Sequence, residues 1–230
     1  MHKTETAIDT GERSLRAHIF TPDEPSGRAA LFIHGYKSTS GSYLQYGKVL
    51  ATQGTACMAF DLGGHGESDG NLSDLTIADN MRDVQAAYDT LAKQDVEPER
   101  IGVAGTSYGA YLGARLLGKR AIKSLLLRVP ALYRDEMSQV PRRYFSTDDE
   151  MELPPFPDNK VLASLTKFNG EITLVTSEHD SVINPAVTAG YVAAMGRGNH
   201  IIMQDTGHVL GPIGRKAFKD IIKRWAVESL

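Results

Sequence analysis

The run Ile101-Gly102-Val103-Ala104-Gly105-Thr106-Ser107-Tyr108-Gly109 constrains this chain more than any other stretch. An apolar strand passes directly into Gly-x-Ser-x-Gly, and the residues that follow, Ala110 to Leu117, favour helix. A serine on so sharp a strand-to-helix turn is held in a strained backbone with its hydroxyl exposed. Glycines at 105 and 109 remove the side chains that would collide across the turn. The helix behind the serine directs free N–H groups and its positive dipole end at any negative charge forming there. The pattern predicts Ser107 as a nucleophile.

Alternating elements frame this turn. Thr4 to Ile8, a turn over Asp9-Thr10-Gly11-Glu12, and the alternation of Leu15, Ala17 and Ile19 predict an antiparallel hairpin. The apolar runs then become continuous, as strands buried on both faces require: 29–33, 55–60, 100–104, 124–129, 172–176 and 200–203. Helical spacing lies between them, clearest at 76–94, where Ile77, Met81, Val84, Tyr88 and Leu91 recur by fours and threes behind a capping box at Thr76 and Asp79. Asn184-Pro185 opens a helix to about Met195, and a closing helix covers 213–227. The order predicts an α/β fold, a mostly parallel, doubly wound sheet with right-handed crossovers, in one domain over 1–230.

The segment 133–160 breaks this rhythm. It carries Pro141, Pro154, Pro155 and Pro157, the pair Arg142-Arg143, and the acidic run from Asp148 to Glu152. Prolines at this density interrupt helices and strands alike, and a loop of this length is either functional or a surface excursion. A short lid and a solvated loop both fit.

A net charge of −3 on 230 residues offers no electrostatic attraction to nucleic acid or to an anionic membrane. The one cysteine, Cys57, lies in an apolar run and is expected to pack as a small hydrophobe. The first ten residues are polar, without a signal-peptide core, and no segment is apolar for the roughly 18 residues of a membrane span. A cytoplasmic location is the expectation; homo-oligomerisation is left open.

An activated serine needs a histidine to take its proton and a carboxylate to orient that histidine. In open α/β sheets such groups gather at the carboxyl ends of strands. Two strands end suitably: one before Ser177-Glu178-His179-Asp180, the other before Gln204-Asp205-Thr206-Gly207-His208. His208, on a turn begun by Gly207, is the expected base. Asp180, Glu178 and Asp205 compete for the acid, although Asp205 is close enough to His208 to shape its turn instead. Leu31-Phe32-Ile33-His34-Gly35-Tyr36 supplies another strand end, whose turn can aim backbone N–H groups across the site. The Tyr36 amide, with the Tyr108 amide just after the nucleophile, makes the expected oxyanion hole. Their rings are free to line an acyl pocket or to pack the loop, and His34 is expected to be structural.

With His34-Gly35, Asp61-Leu62-Gly63-Gly64-His65-Gly66-Glu67-Ser68, Gly105–Gly109, Asp180-Ser181-Val182-Ile183 and Gly207-His208 in this order, the chain resembles the α/β-hydrolase superfamily. More narrowly, it is similar to the small esterase, lipase and serine-aminopeptidase-like branch, from about residue 28 to 230. The resemblance implies an α/β-hydrolase fold, a Ser107, Asp180, His208 triad, and a supporting role for the Asp61–Ser68 loop with no catalysis by Asp61 or His65. The family usually has arginine where Gly63 stands and proline where Asn184 stands, so the loop's usual ion pair is in question.

The expected activity is hydrolysis of a small-molecule ester of short to medium acyl chain through an acyl-enzyme, with no metal and no organic cofactor. Thioester or amide cleavage, and a non-hydrolytic ligand-binding use of the pocket, are the alternatives. Arg128, Arg134, Arg142 and Arg143 suggest an anionic leaving group such as a CoA tail, but the adjacent acidic run favours reading them as solvated surface charge.

Overall fold

A computed structural model describes residues 1–145, 156, 159–196 and 198–230. Strands β1 (His2–Asp9) and β2 (Ser14–Thr21) pair antiparallel across a tight turn, as the alternation predicts. The chain then runs through β3 (Ala29–Ile33), α1 (Leu44–Ala51), β4 (Ala56–Phe60), α2 (Ile77–Leu91), β5 (Ile101–Thr106), α3 (Tyr108–Arg115) and β6 (Ser124–Arg128). It closes through α4 (Lys160–Lys167), β7 (Glu171–His179), α5 (Pro185–Ala194), β8 (Gly198–Gly207) and α6 (Pro212–Glu228).

The eight strands form one sheet in the order β1-β2-β4-β3-β5-β6-β7-β8. β2 meets β4 antiparallel, and every later pairing is parallel. The fold is that of an α/β-hydrolase. Its apolar strands are continuous because both faces are covered: Ala29, Leu31 and Ile33 of β3 pack beneath α2 and α3, while Ala30 and Phe32 pack beneath α1 and α6. Cys57 is buried in the second of these layers as a free thiol.

The caps read from sequence are formed. Thr76 Oγ1 accepts from the Asp79 amide and the Asp79 carboxylate accepts from the Thr76 amide, at 3.1 and 2.8 Å. Asn184 accepts from the Ala186 amide ahead of Pro185. Two helices, α1 and α4, were not evident from periodicity. No helix among the described residues is long and apolar enough to cross a membrane.

Of the expected insertion at 133–160, residues 146–155 and 157–158 lie outside the described residues. Its first part docks onto the body: the Arg142 and Arg143 amides donate to Leu75 and Ser73, and Arg143 pairs with Asp74 at 2.6 Å. Asn159 caps α4 and also donates from Nδ2 to the Tyr133 carbonyl at 3.2 Å, which ties the two ends of the insertion together.

Candidate active site

Ser107 occupies the turn between β5 and α3 at φ 54°, ψ −116°, a backbone region that a non-glycine residue enters only when its surroundings enforce it. The enforcement is visible on both sides. The Ser107 amide donates to the Arg128 carbonyl at 2.8 Å, and its carbonyl accepts from Tyr111 at 3.1 Å. A Cβ on Gly109 would lie 2.1 Å from the Ile33 carbonyl oxygen, and one on Gly105 would lie 2.4 Å from that of Gly109. No side chain fits at either position, so α3 can start directly beneath the serine.

Asp180 follows β7 and His208 follows β8, neighbouring strands whose pairing is irregular where they approach the site. Ser177 pairs with Met203 and His179 with Gly207, so Glu178 faces three residues, Gln204 to Thr206. That bulge carries His208 toward the neighbouring strand end, where Nδ1 lies 2.9 Å from Asp180 Oδ2. Asp180 Oδ1 accepts from the Val182 and Ile183 amides at 2.8 and 2.9 Å. Burial opposes the Asp180 charge, but the bonds from His208 and these amides outweigh it and hold the carboxyl below its usual range. With Nδ1 hydrogen-bonded to the carboxylate, Nε2 is the nitrogen able to take a proton.

Among the described residues neither rival acid pairs with His208. Glu178 accepts from the Asp205 amide at 2.9 Å, and Asp205 sits at φ 53° within the bulge. Glu178, His179 and Asp205 also bring three ligand-type atoms within 4.8 Å of one another, all exposed. His34 is fully buried. Its Nε2 accepts from the Leu62 amide at 3.0 Å, and burial pushes its pKa down to about 4, so it is a neutral structural group.

The loop after β3 lies against the elbow: a Cβ on Gly35 would be 3.6 Å from Ser107 Cβ. This brings Tyr36 beside the serine, while Tyr108 is the first residue of α3, where an N–H has no partner within the helix. The two rings serve different ends. Tyr36 lines a cavity of about 230 Å³ together with Ser107 and His208. Tyr108 is buried and donates from its hydroxyl to Asn80 Oδ1 at 2.9 Å.

Two arginines correct the expectation of solvated charge, which holds for exposed Arg134 and Arg143. Arg142 is buried, its guanidinium carbon 4.3 to 5.4 Å from the ring centres of Tyr108, Phe145, Tyr133 and Tyr36. It clamps the docked part of the insertion to the elbow by cation–π contact. Arg128, the last residue of β6, is 3% exposed and lines the cavity. Its Nη2 donates to the His208 carbonyl at 2.8 Å and reaches those of Gly207 and the Ser177 hydroxyl at 3.3 and 3.4 Å. Burial draws this guanidinium below its ordinary range, partly offset by Tyr43 and Asp180. An arginine closing the apolar run Ser124-Leu-Leu-Leu-Arg128, at a strand's carboxyl end, was the signal available in the sequence.

The sequence model of the family described as Serine aminopeptidase, S33, matches residues 24–147. Two uncharacterized Mycobacterium tuberculosis proteins, from strains CDC 1551 and H37Rv, are 25% identical over 185 residues, 80% of this chain. The chain spans 63% of the length of these curated relatives. Among solved structures, Est1E from Butyrivibrio proteoclasticus with ferulic acid bound superposes at a TM-score of 0.78 and 18% identity, over 97% of this chain and 98% of that one. A proline iminopeptidase from Mycobacterium smegmatis gives 0.74 and 15%, over 98% of both chains. The thioesterase domain from the curacin biosynthetic pathway gives 0.71 and 16%, over 96% of this chain and 99% of that one. At these identities the likeness is one of fold.

Proposed function

The chain belongs to the serine aminopeptidase S33 family of α/β-hydrolases, and from that premise we propose that it is a serine esterase acting on carboxylic esters of small to medium acyl chain. The observation that carries this reading is the 2.9 Å bond between His208 and Asp180 in a chain whose His208 shares a cavity with Ser107.

In this mechanism Ser107 Oγ attacks the ester carbonyl carbon while His208 Nε2 takes its proton. Asp180 holds the Nδ1–H and stabilises the imidazolium that forms. The tetrahedral oxyanion is held by the Tyr36 and Tyr108 amides, and the dipole of α3 adds to the same field. His208 then passes its proton to the leaving alcohol as the acyl-enzyme forms. Water, deprotonated by His208, releases the acid and restores Ser107. No metal or organic cofactor enters any step.

A cavity of about 230 Å³, set between apolar and aromatic side chains such as Tyr46, Leu210 and Phe218, suits a short or medium chain. Hydrolysis of p-nitrophenyl esters from acetate to palmitate tests the reading. Turnover that peaks at short or medium chains and disappears in Ser107→Ala supports it. Turnover only of thioesters or aminoacyl amides would move the assignment to those substrates.

A further inference from the structure

Arg128 presents a charge that its visible duties do not need. The oxygens it holds, on Gly207, His208 and Ser177, are neutral, and a neutral amide side chain could donate to them equally well. Among the described residues no carboxylate lies within 4 Å of its guanidinium, and Asp180 is committed to His208. Among the described residues Nε is buried without a partner, and Nη1 makes no hydrogen bond. Its guanidinium carbon also lies 5.7 Å from the Phe218 ring centre, and Tyr43, Asp180 and Tyr46 offset only part of the effect of burial. A buried guanidinium with no carboxylate paired to it is costly, and an anion is what would relieve it.

The cavity shows where such an anion would sit. Arg128, Ser107 and His208 line one space, with Tyr46 and Phe218 on its walls and Arg215 also on its lining. Arg215 is fixed there by donating from Nη1 to the Leu210 carbonyl at 2.9 Å. Both arginines act on Tyr46, whose phenol burial otherwise keeps neutral.

We propose that this space is an anion subsite: the substrate is an ester that also carries a carboxylate, bound by Arg128 while its ester carbonyl lies at Ser107. The proposal rests on the esterase reading and names its substrate class. A carboxylate fits better than a phosphate dianion, because of the two lining arginines Arg128 is buried and Arg215 exposed, and one enclosed guanidinium balances one negative charge.

The test separates binding from turnover. Ser107→Ala protein is titrated with monomethyl glutarate, dimethyl glutarate and inorganic phosphate, followed by amide chemical shifts. Binding of the monoanion about 10-fold or more tighter than its neutral diester, with shifts at Tyr46 and Phe218, is expected. Adding Arg128→Gln should abolish that preference and Arg128→Lys should keep part of it. Equal binding of the two esters overturns the proposal, as does tighter binding of phosphate; this comparison needs no Arg128 variant to fold. In parallel, the unmutated protein is assayed on the mono-p-nitrophenyl ester of glutaric acid and on p-nitrophenyl valerate. Monoanion preference in binding with no ester hydrolysed leaves the subsite standing and removes the esterase reading. Ester turnover without the preference does the reverse.

Discussion

Arg13 Nη1 lies 2.7 Å from Asp83 Oδ1, joining the turn of the N-terminal hairpin to a fully buried carboxylate on α2. The other Asp83 oxygen accepts from the Gly63 amide at 2.9 Å and from Asn80 Nδ2 at 3.0 Å, and Asn80 accepts from the Tyr108 hydroxyl. The hairpin is thereby linked to the nucleophile elbow through an unbroken polar chain. Arg13 also fills the space beside Gly63, where a Cβ would lie 2.9 Å from Arg13 Cδ and 2.8 Å from Asp83 Oδ2. An arginine arriving from the hairpin supplies the cation for an acid to which this loop gives only the Gly63 amide.

Removing one partner of such a buried pair strands the other. Arg13→Met should lower stability by about 3–5 kcal/mol, read as a lowered midpoint in urea unfolding. Gly63→Arg alone should also destabilise, by overpacking, yet in an Arg13→Ala background it should recover part of the loss by giving Asp83 a new cation. Strictly additive losses in the double variant would contradict this exchange of partners.

His34 makes stability depend on acid. Its folded pKa of about 4 lies below the usual 6.5, so between these values the unfolded chain binds a proton that the folded protein refuses. Stability should therefore be full above about pH 6.5 and fall as pH drops toward 4, by about 3 kcal/mol in all from this group. Melting temperatures of the protein and of His34→Gln at pH 7, 5.5 and 4 check it: the variant should start lower and lose less between pH 7 and 4.

Asp180→Asn keeps the shape of the acid but favours the wrong imidazole tautomer at His208. Turnover number should fall by about 10⁴-fold with little change in KM. Glu178→Gln, whose carboxylate accepts from the Asp205 amide and lies 3.7 Å from His179 Nε2, should stay within a few-fold of the unmutated protein. Steady-state kinetics on one activated ester decides between the two acids.

Arg142 should matter through its rings. Arg142→Ala removes contacts to four aromatic side chains, and the melting temperature should drop by several degrees. Arg142→Lys should recover little, because an ammonium lacks the planar face that stacks on these rings. Full recovery by lysine would mean that charge alone, and not stacking, holds the segment.

Much of this was legible in the sequence because its signals are local. The elbow needs only a strand, two glycines and a helix in succession, and the strand ends carrying Asp180 and His208 are short apolar runs closed by polar turns. Helix α1 gives no clear helical signal because Gly47 interrupts its pattern; that glycine admits the Phe20 ring, 2.6 Å from where a Cβ would stand. Strand β8 extends past Met203 through polar Gln204, Asp205 and Thr206, since the bulge facing Glu178 needs no apolar residue. Arg128 and Arg142 read as surface charge, and Arg13 gives no signal at all, because nothing in their neighbours announces enclosure. Their burial arises where elements distant in sequence converge: the hairpin on α2, β6 on the His208 turn, the insertion on the elbow.

The central claim is that Ser107 is an activated nucleophile, and covalent labelling tests it most directly. Incubation with a fluorophosphonate, followed by mass spectrometry of the intact protein and its peptides, should give one adduct located at Ser107. The adduct should be absent in Ser107→Ala and form far more slowly in His208→Ala. A folded protein that stays unlabelled, or one that labels equally well without Ser107, would contradict the account.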